Sequence, residues 1–151
     1  MGSLNYWKAD FLTALTDKAV DLIVEQSAQM VSPLSSVHIY QLGGAVSIVP
    51  AAATAFSHRD AAFVYNLVGT WLDPAETAIH RAWAKLAFEA LRPVSMGASY
   101  VNFLADGDED VVAVYGANSE RLLALQERYD STDLFRSHRG ARDRRRHQRG
   151  I

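Results

Sequence analysis

Ala62-Phe63-Val64-Tyr65-Asn66-Leu67-Val68-Gly69-Thr70-Trp71-Leu72-Asp73-Pro74 decides how the rest of the chain is read. Its first ten residues are rich in Phe, Val, Tyr, Leu and Trp, side chains suited to a pleated, half-buried surface, and they predict a strand. Asp73-Pro74 then sets an N-cap before a proline whose fixed φ matches the first helical position. The helix opened there carries Ile79, Trp83, Leu86, Ala87 and Leu91 as an apolar stripe, and Pro93 stops it.

Upstream, Thr16 is placed to cap a helix in which Ala19, Leu22 and Ile23 recur at helical spacing, with Asp17, Asp21 and Glu25 on the polar side and Ser32-Pro33 at its end. Val37 and Ile39 alternate with His38 and Tyr40 as a half-buried strand does. Gly43-Gly44 and a second apolar run, residues 45–49, predict a hairpin or bulged strand, followed by a loop over 50–60. Downstream, residues 99–104 predict another strand, whose two-residue period puts Tyr100 and Asn102 on one face and Val101 and Phe103 on the other. Helical segments over 110–115 and 119–129 run into the turn Asp130-Ser131-Thr132-Asp133. No glycine-rich phosphate loop follows a strand, which argues against a nucleotide-binding parallel sheet. The expected class is α+β: an antiparallel sheet with helices on one face.

At 151 residues, 49% hydrophobic and 21% charged, the chain is long enough to bury a modest core. No apolar run reaches the ~18–20 residues of a membrane span; the run at 45–56 is broken by Ser47, Pro50 and Thr54. The opening Met1-Gly2-Ser3-Leu4-Asn5-Tyr6-Trp7-Lys8 has no secretion-signal pattern, so the expected location is the cytoplasm. With no cysteine there is neither a disulfide nor a thiolate ligand. The net charge of -2 is unevenly spread. Residues 137–151 hold six of the fifteen Lys and Arg and one acid, leaving nine bases against sixteen acids in residues 1–136. That Arg-rich tail lacks apolar periodicity and is expected to be disordered.

Four stretches, in this order, resemble the berberine-bridge-enzyme-like branch of FAD-linked oxidases. They are Tyr6-Trp7-Lys8 with Ser32-Pro33-Leu34-Ser35; Gln41-Leu42-Gly43-Gly44-Ala45-Val46 leading to Thr54-Ala55-Phe56-Ser57-His58-Arg59-Asp60; Gly97-Ala98-Ser99-Tyr100-Val101-Asn102-Phe103-Leu104; and Ala113-Val114-Tyr115-Gly116-Ala117-Asn118 with Arg121-Leu122 and Arg128-Tyr129-Asp130-Ser131-Thr132-Asp133-Leu134-Phe135-Arg136. The resemblance implies a chain that begins partway through the substrate-side domain and lacks most of the FAD site. Residues 1–97 would be part of that α+β domain, 98–136 a berberine-bridge-like segment that returns to the FAD domain, and 137–151 the tail. It implies FAD as cofactor, poorly held by this chain alone, and oxidation of an alcohol, sugar or similar small molecule by hydride transfer. The expected partners are that substrate, a separate chain carrying the FAD domain, and a second copy of this chain paired through an open sheet edge. Nucleic acid and membrane are not expected. The alternative is a catalytically inert remnant or a self-associating binding module.

The family's Tyr-X-Asn motif matches Tyr100-Val101-Asn102. By resemblance Tyr100 would be catalytic, helping to deprotonate a substrate hydroxyl, and both Tyr100 and Asn102 would lie against the cofactor. A phenol needs help from its surroundings to serve as a base near neutral pH. Read from spacing without the family, Tyr100 is better explained as an ordinary strand aromatic with its hydroxyl satisfied. His58-Arg59 matches a family signature, but a loop anchored by charged hydrogen bonds explains it as well. His38 and His80 have no ligand-spaced neighbours, and Asp106, Asp108, Glu109 and Asp110 lack the glycine and distal glutamate of a calcium loop, so no metal site is expected. Relatives usually continue past Arg136 with an Asn-X-Asn-Ile closure; here the tail is either out-of-frame translation or a basic arm. An intact reading frame encoding the same arginines would rule out the first, and binding to DNA or RNA that is unchanged by truncation at Arg136 would rule out the second.

Overall fold

The computed structural model describes residues 2–104, 111–132 and 134. The acidic cluster from Asp106 to Asp110 and the Arg-rich tail lie outside the described residues. Three strands form one antiparallel sheet in the order β1-β3-β2, with β1 Leu4–Leu12, β2 Ser36–Gln41 and β3 Phe63–Trp71. Helices α1 (Asp17–Ala28) and α3 (Thr77–Leu91) cover one face. The class is α+β, as expected.

The register fixes the two faces. Leu67 at the centre of β3 pairs with Lys8 and Val37, and Tyr65 with Asp10 and Ile39, so odd-numbered β3 residues share a face with even-numbered β1 residues. On that face Tyr6, Leu12, Tyr65, Leu67 and Trp71 pack with Ile23 of α1 and Trp83, Ala84, Ala87 and Leu91 of α3. Trp83 Nε1 donates to Gln26 O at 3.0 Å, tying the helices together where an unpaired indole N–H would be costly. At Gly69 the helix comes close to the strand: a Cβ there would stand in van der Waals contact with His80 O at 3.4 Å and Tyr6 O at 3.5 Å. The caps follow the sequence: Thr16 Oγ1 accepts from Ala19 N at 3.2 Å, and Asp73 Oδ1 from Ala75 N at 2.9 Å.

Three expectations need correction, and β1 is a strand that local pattern does not announce. Residues 45–49 are not a strand: Gly43 (φ 146) and Gly44 (φ 53) turn the chain out of the sheet, and Ala45–Ile48 closes into a short helix, α2. Residues 99–104 form no strand either. Tyr100 is extended, Phe103 N then donates to Tyr100 O at 2.8 Å, and Val101–Phe103 is a tight 3₁₀ turn packed near β1. On α3 the buried stripe is His80, Trp83, Ala84, Ala87 and Leu91, whereas Ile79 and Leu86 are 53% and 69% exposed. The helix is therefore rotated toward its small residues, which allow close approach to the sheet. Finally β1 reads poorly as a strand because Lys8 and Asp10 interrupt its helix-facing positions; the Lys8 ammonium leaves along Phe88, and Asp10 is buried. Among the described residues no helix is long and apolar enough to cross a membrane.

Candidate functional site

The face of the sheet away from α1 and α3 is only partly covered. By register it presents Trp7, Ala9 and Phe11 from β1, Val64, Asn66 and Val68 from β3, and Ser36, His38 and Tyr40 from β2. At one end, the chain over 42–59 and the turn at 97–104 fold over it and enclose a cavity of about 360 Å³. Its walls are Phe11, Tyr40, Leu42, Val46, Phe56, Val64, Tyr100 and Phe103, with Arg59 as the charged member.

Tyr100 is held by three rings at edge-on angles: Phe11 at 6.0 Å, Phe56 at 6.1 Å and Phe103 at 5.2 Å between centroids. Asn102 Nδ2 donates to the Tyr100 hydroxyl at 3.0 Å. The two motif residues are thus brought together, by a 3₁₀ turn in place of a strand. The consequence is chemical, because the amide N–H points at the oxygen that would carry charge once its proton is removed. Phe103 in turn stacks on Tyr40 at 5.9 Å, and Tyr40 Oη and Ser36 Oγ flank the two ring nitrogens of His38 at 3.2 and 2.9 Å.

The wall opposite Tyr100 depends on Arg59. Its guanidinium donates to Phe56 O at 3.1 Å, Val46 O at 3.0 Å and Thr54 Oγ1 at 2.6 Å, and lies 4.8 Å over the Phe56 ring. All three nitrogens are engaged in holding the loop, so Arg59 is a structural member of the wall. His58 does the same for the following segment, since Nε2 lies 3.0 Å from Ala113 O and 3.1 Å from Val114 O and must carry the proton to donate to either. Helices α4 (Val111–Tyr115) and α5 (Ser119–Tyr129) are fastened to the same loop. Asn118 Nδ2 donates to Ala51 O and Thr54 O at 2.7 and 3.0 Å, and Arg121 to Ala52 O at 2.9 Å.

Beneath the turn lies Asp10, 1% exposed, accepting from the N–H groups of Phe11 (2.6 Å), Ala98 (2.8 Å) and Gly97 (3.1 Å). Burial pushes its carboxyl above the usual value; those N–H groups and nearby His58 pull the other way without overcoming it. Burial likewise raises the Tyr65 and Tyr115 phenols. Two more polar atoms on the open face, Trp7 Nε1 and Asn66 Oδ1, are buried without a hydrogen-bond partner among the described residues. A buried orphan polar atom next to an open surface is the mark of a site completed by something else. Aromatic walls, a carboxamide donor and these two atoms suit one side of a flat heteroaromatic ring such as a flavin's. The sequence carries no G-x-G-x-x-G for a dinucleotide's phosphates. No group of three or more His, Cys, Asp or Glu among the described residues could hold a metal.

Sequence reading found Tyr100 and Asn102 but not Asp10, Phe11, Tyr40 or Asn66. Tyr40 and Asn66 sit inside ordinary strand patterns, and only the register shows which way they point. A lone carboxylate ahead of Phe11-Leu12 was the one available signal for Asp10.

Several known proteins are similar to this chain in sequence or fold. The family model "Berberine and berberine like" matches residues 99–142. The chain is 28% identical over 119 residues to the aclacinomycin-N/aclacinomycin-A oxidase of Streptomyces galilaeus, covering 66% of this chain and 22% of that protein. It is 29% identical over 126 residues to the uncharacterised FAD-linked oxidoreductase YgaK of Bacillus subtilis (strain 168), covering 81% and 27%. Over 95 residues it is 32% identical to YvdP of the same strain, covering 62% and 21%. Among solved structures, berberine bridge enzyme from Eschscholzia californica superposes with a TM-score of 0.79 at 18% identity over 88% of this chain and 32% of that one. A glycopeptide hexose oxidase superposes at 0.76 and 24%, over 86% and 30%. The superpositions define the fold, an α+β unit shared with flavin-linked oxidases. Residues 99–142 carry the berberine-like segment, and the chain as a whole is similar to FAD-linked oxidoreductases of the berberine-bridge-enzyme-like kind. It spans 21% to 27% of the length of the curated relatives it matches.

Proposed function

We propose that this chain supplies the substrate-side wall of an FAD-dependent oxidase acting on an alcohol, a sugar or a related small molecule, with residues 1–97 as part of the substrate domain and 98–136 as the segment that meets the flavin. The observation that carries the reading is the 3.0 Å contact from the Asn102 amide to the Tyr100 hydroxyl, beside an aromatic cavity. Tyr100, once its own proton has been removed, takes the proton of the substrate hydroxyl as the carbinol C–H is lost, and the Asn102 N–H steadies the phenolate that exists before that transfer. FAD, held by another region of polypeptide, supplies the hydride acceptor. Asn66 and Trp7 offer an acceptor and a donor to whatever lies on the open face. The cavity walls are mainly aromatic and aliphatic, which favours an alcohol carbon borne next to an apolar or aromatic ring.

The test is Tyr100→Phe in the chain assembled with an FAD-bearing complement. Loss of a general base lowers kcat by about 10²–10⁴-fold, while absorption of the bound flavin near ~450 nm stays. Unchanged turnover refutes the role of Tyr100. The second reading, a self-associating module, is favoured by a sheet in which β1 and β2 each pair only with β3 among the described residues, since open edges recruit further strands. Colourless protein that takes up no FAD with any complement, and that elutes as a dimer, would select it.

A further inference from the structure

Asp10 plays no part in the proton transfer proposed above, yet it is the most constrained carboxylate among the described residues. It is 1% exposed, and both oxygens are spent on backbone N–H groups, Oδ1 on Phe11 and Ala98 and Oδ2 on Gly97. Burying a charge merely to close a turn is costly, because a desolvated carboxylate needs every lone pair directed. The turn is shaped for it. Gly97 has φ +71, a left-handed conformation that aims two successive N–H groups at one anion. Two residues further on stands Tyr100. Between them Ser99 N donates to Ala113 O at 2.9 Å, and Met96 N on the other side donates to Phe11 O at 2.9 Å. The ring of Phe11, next to Asp10 in β1, packs on that of Tyr100 at 6.0 Å. One pair of adjacent strand residues therefore grips the Tyr100 segment twice, by its backbone and by its ring.

We propose that Asp10 is the positioning residue for Tyr100: its buried carboxylate fixes the Gly97–Ala98 turn and thereby sets where the phenolic hydroxyl stands over the cavity. The functional weight of this rests on the reading of Tyr100 given above, but the placement itself is testable without flavin or substrate. An anion accepts from all three donors at once, whereas an asparagine turns its NH₂ toward Gly97 N in one orientation and toward Phe11 N and Ala98 N in the other.

The test uses the full chain labelled with 3-fluorotyrosine, the Tyr100 resonance being assigned by its loss in Tyr100→Phe. In Asp10→Asn the ¹⁹F line of Tyr100 is expected to shift and broaden while those of Tyr6 and Tyr129 hold still. Amide exchange at Gly97, Ala98 and Ser99 is expected to rise about tenfold or more with the β3 amides unchanged, the pattern of a local opening. A folded Asp10→Asn protein whose Tyr100 line and 97–99 exchange match the parent overturns the proposal, and so does one in which every tyrosine moves alike. Should Asp10→Asn fail to fold, Gly97→Val keeps the carboxylate and disturbs only the exposed left-handed turn. It must then move the Tyr100 line selectively, and an unmoved line overturns the proposal. If Tyr100→Phe leaves turnover intact while Asp10→Asn still moves the tyrosine line, the catalytic reading fails and the anchor stands.

Discussion

Replacing Arg59 by lysine asks whether the cavity wall is held by one guanidinium. The three donors of Arg59 lie on separate nitrogens and reach Phe56 O, Val46 O and Thr54 Oγ1 at 3.1, 3.0 and 2.6 Å. A lysine ammonium is a single point and cannot span both carbonyls, so it forfeits about two of the three bonds. Hydrogen bonds to charged groups are worth about 1.5–3 kcal/mol when buried, but this group is half-buried and water replaces part of what is lost. About 0.5–1 kcal/mol for each bond is the appropriate scale after that screening, or about 1–2 kcal/mol in total. The loss is local, because α2 has only four residues and no independent stability. At ~1.4 kcal/mol per tenfold, amide exchange at Val46 and Ala53 should quicken by roughly 5- to 30-fold in Arg59→Lys, with Leu67 of β3 unaffected. Hydrogen exchange read residue by residue checks this. An unchanged Val46, or an acceleration shared equally by Leu67, would refute the reasoning.

Other substitutions probe the remaining links. Gly116 sits at φ +53 with Ser57 Oγ 2.6 Å from where its Cβ would be, so Gly116→Ala should cost about 1–2 kcal/mol from the left-handed backbone alone, whereas Gly69→Ala, meeting nothing nearer than 3.4 Å, should stay within about 1 kcal/mol; urea midpoints compare the two. Tyr65→Phe removes the 3.0 Å bond to Ser95 Oγ, but Ser95 keeps Leu91 O at 2.8 Å, so a loss of about 1 kcal/mol is expected and a loss several times larger would show an additional role for the hydroxyl. The folded Asp10 carboxyl lies above its ordinary 3.8, so between the two values the folded chain binds the extra proton and stability falls as pH rises through that window. Asp10→Asn should lack this slope, so the difference between the two proteins' stabilities measured from acid to neutral pH should fall as pH rises, and identical slopes would refute the assignment.

The two capped helices, the β2 and β3 strands and the Tyr-X-Asn motif were legible in the chain because each is written in local terms. Thr16, Asp73-Pro74 and the alternation around Ile39 act within a few residues of themselves. The motif survived a wrong local assignment: residues 99–104 are not a strand, yet Asn102 reaches Tyr100, because a tight turn also brings side chains two apart together. Residues 45–49 and 99–104 failed for local reasons, glycine dihedrals and an i→i−3 hydrogen bond, whereas for α3 and β1 the deciding contact was distant. The burial of His80 and Ala84 rather than Ile79 and Leu86 follows from how closely α3 approaches β1 and β3. Strand β1 escaped notice since Asp10 looks like a surface residue until residues 97 and 98, nearly ninety positions away, supply its N–H partners.

What the amino-acid sequence by itself determined is the two capped helices α1 and α3 and the strands β2 and β3, because capping and strand propensity depend on neighbours in the chain. Only the tertiary structure decided which sheet face stays open, that Phe11, Tyr40, Phe56 and Phe103 gather around Tyr100, and that a carboxylate in the first strand holds the turn before it. Those outcomes depend on register and on hydrogen bonds closed across long loops, and a one-residue change in register would turn every one of these strand side chains to the opposite face.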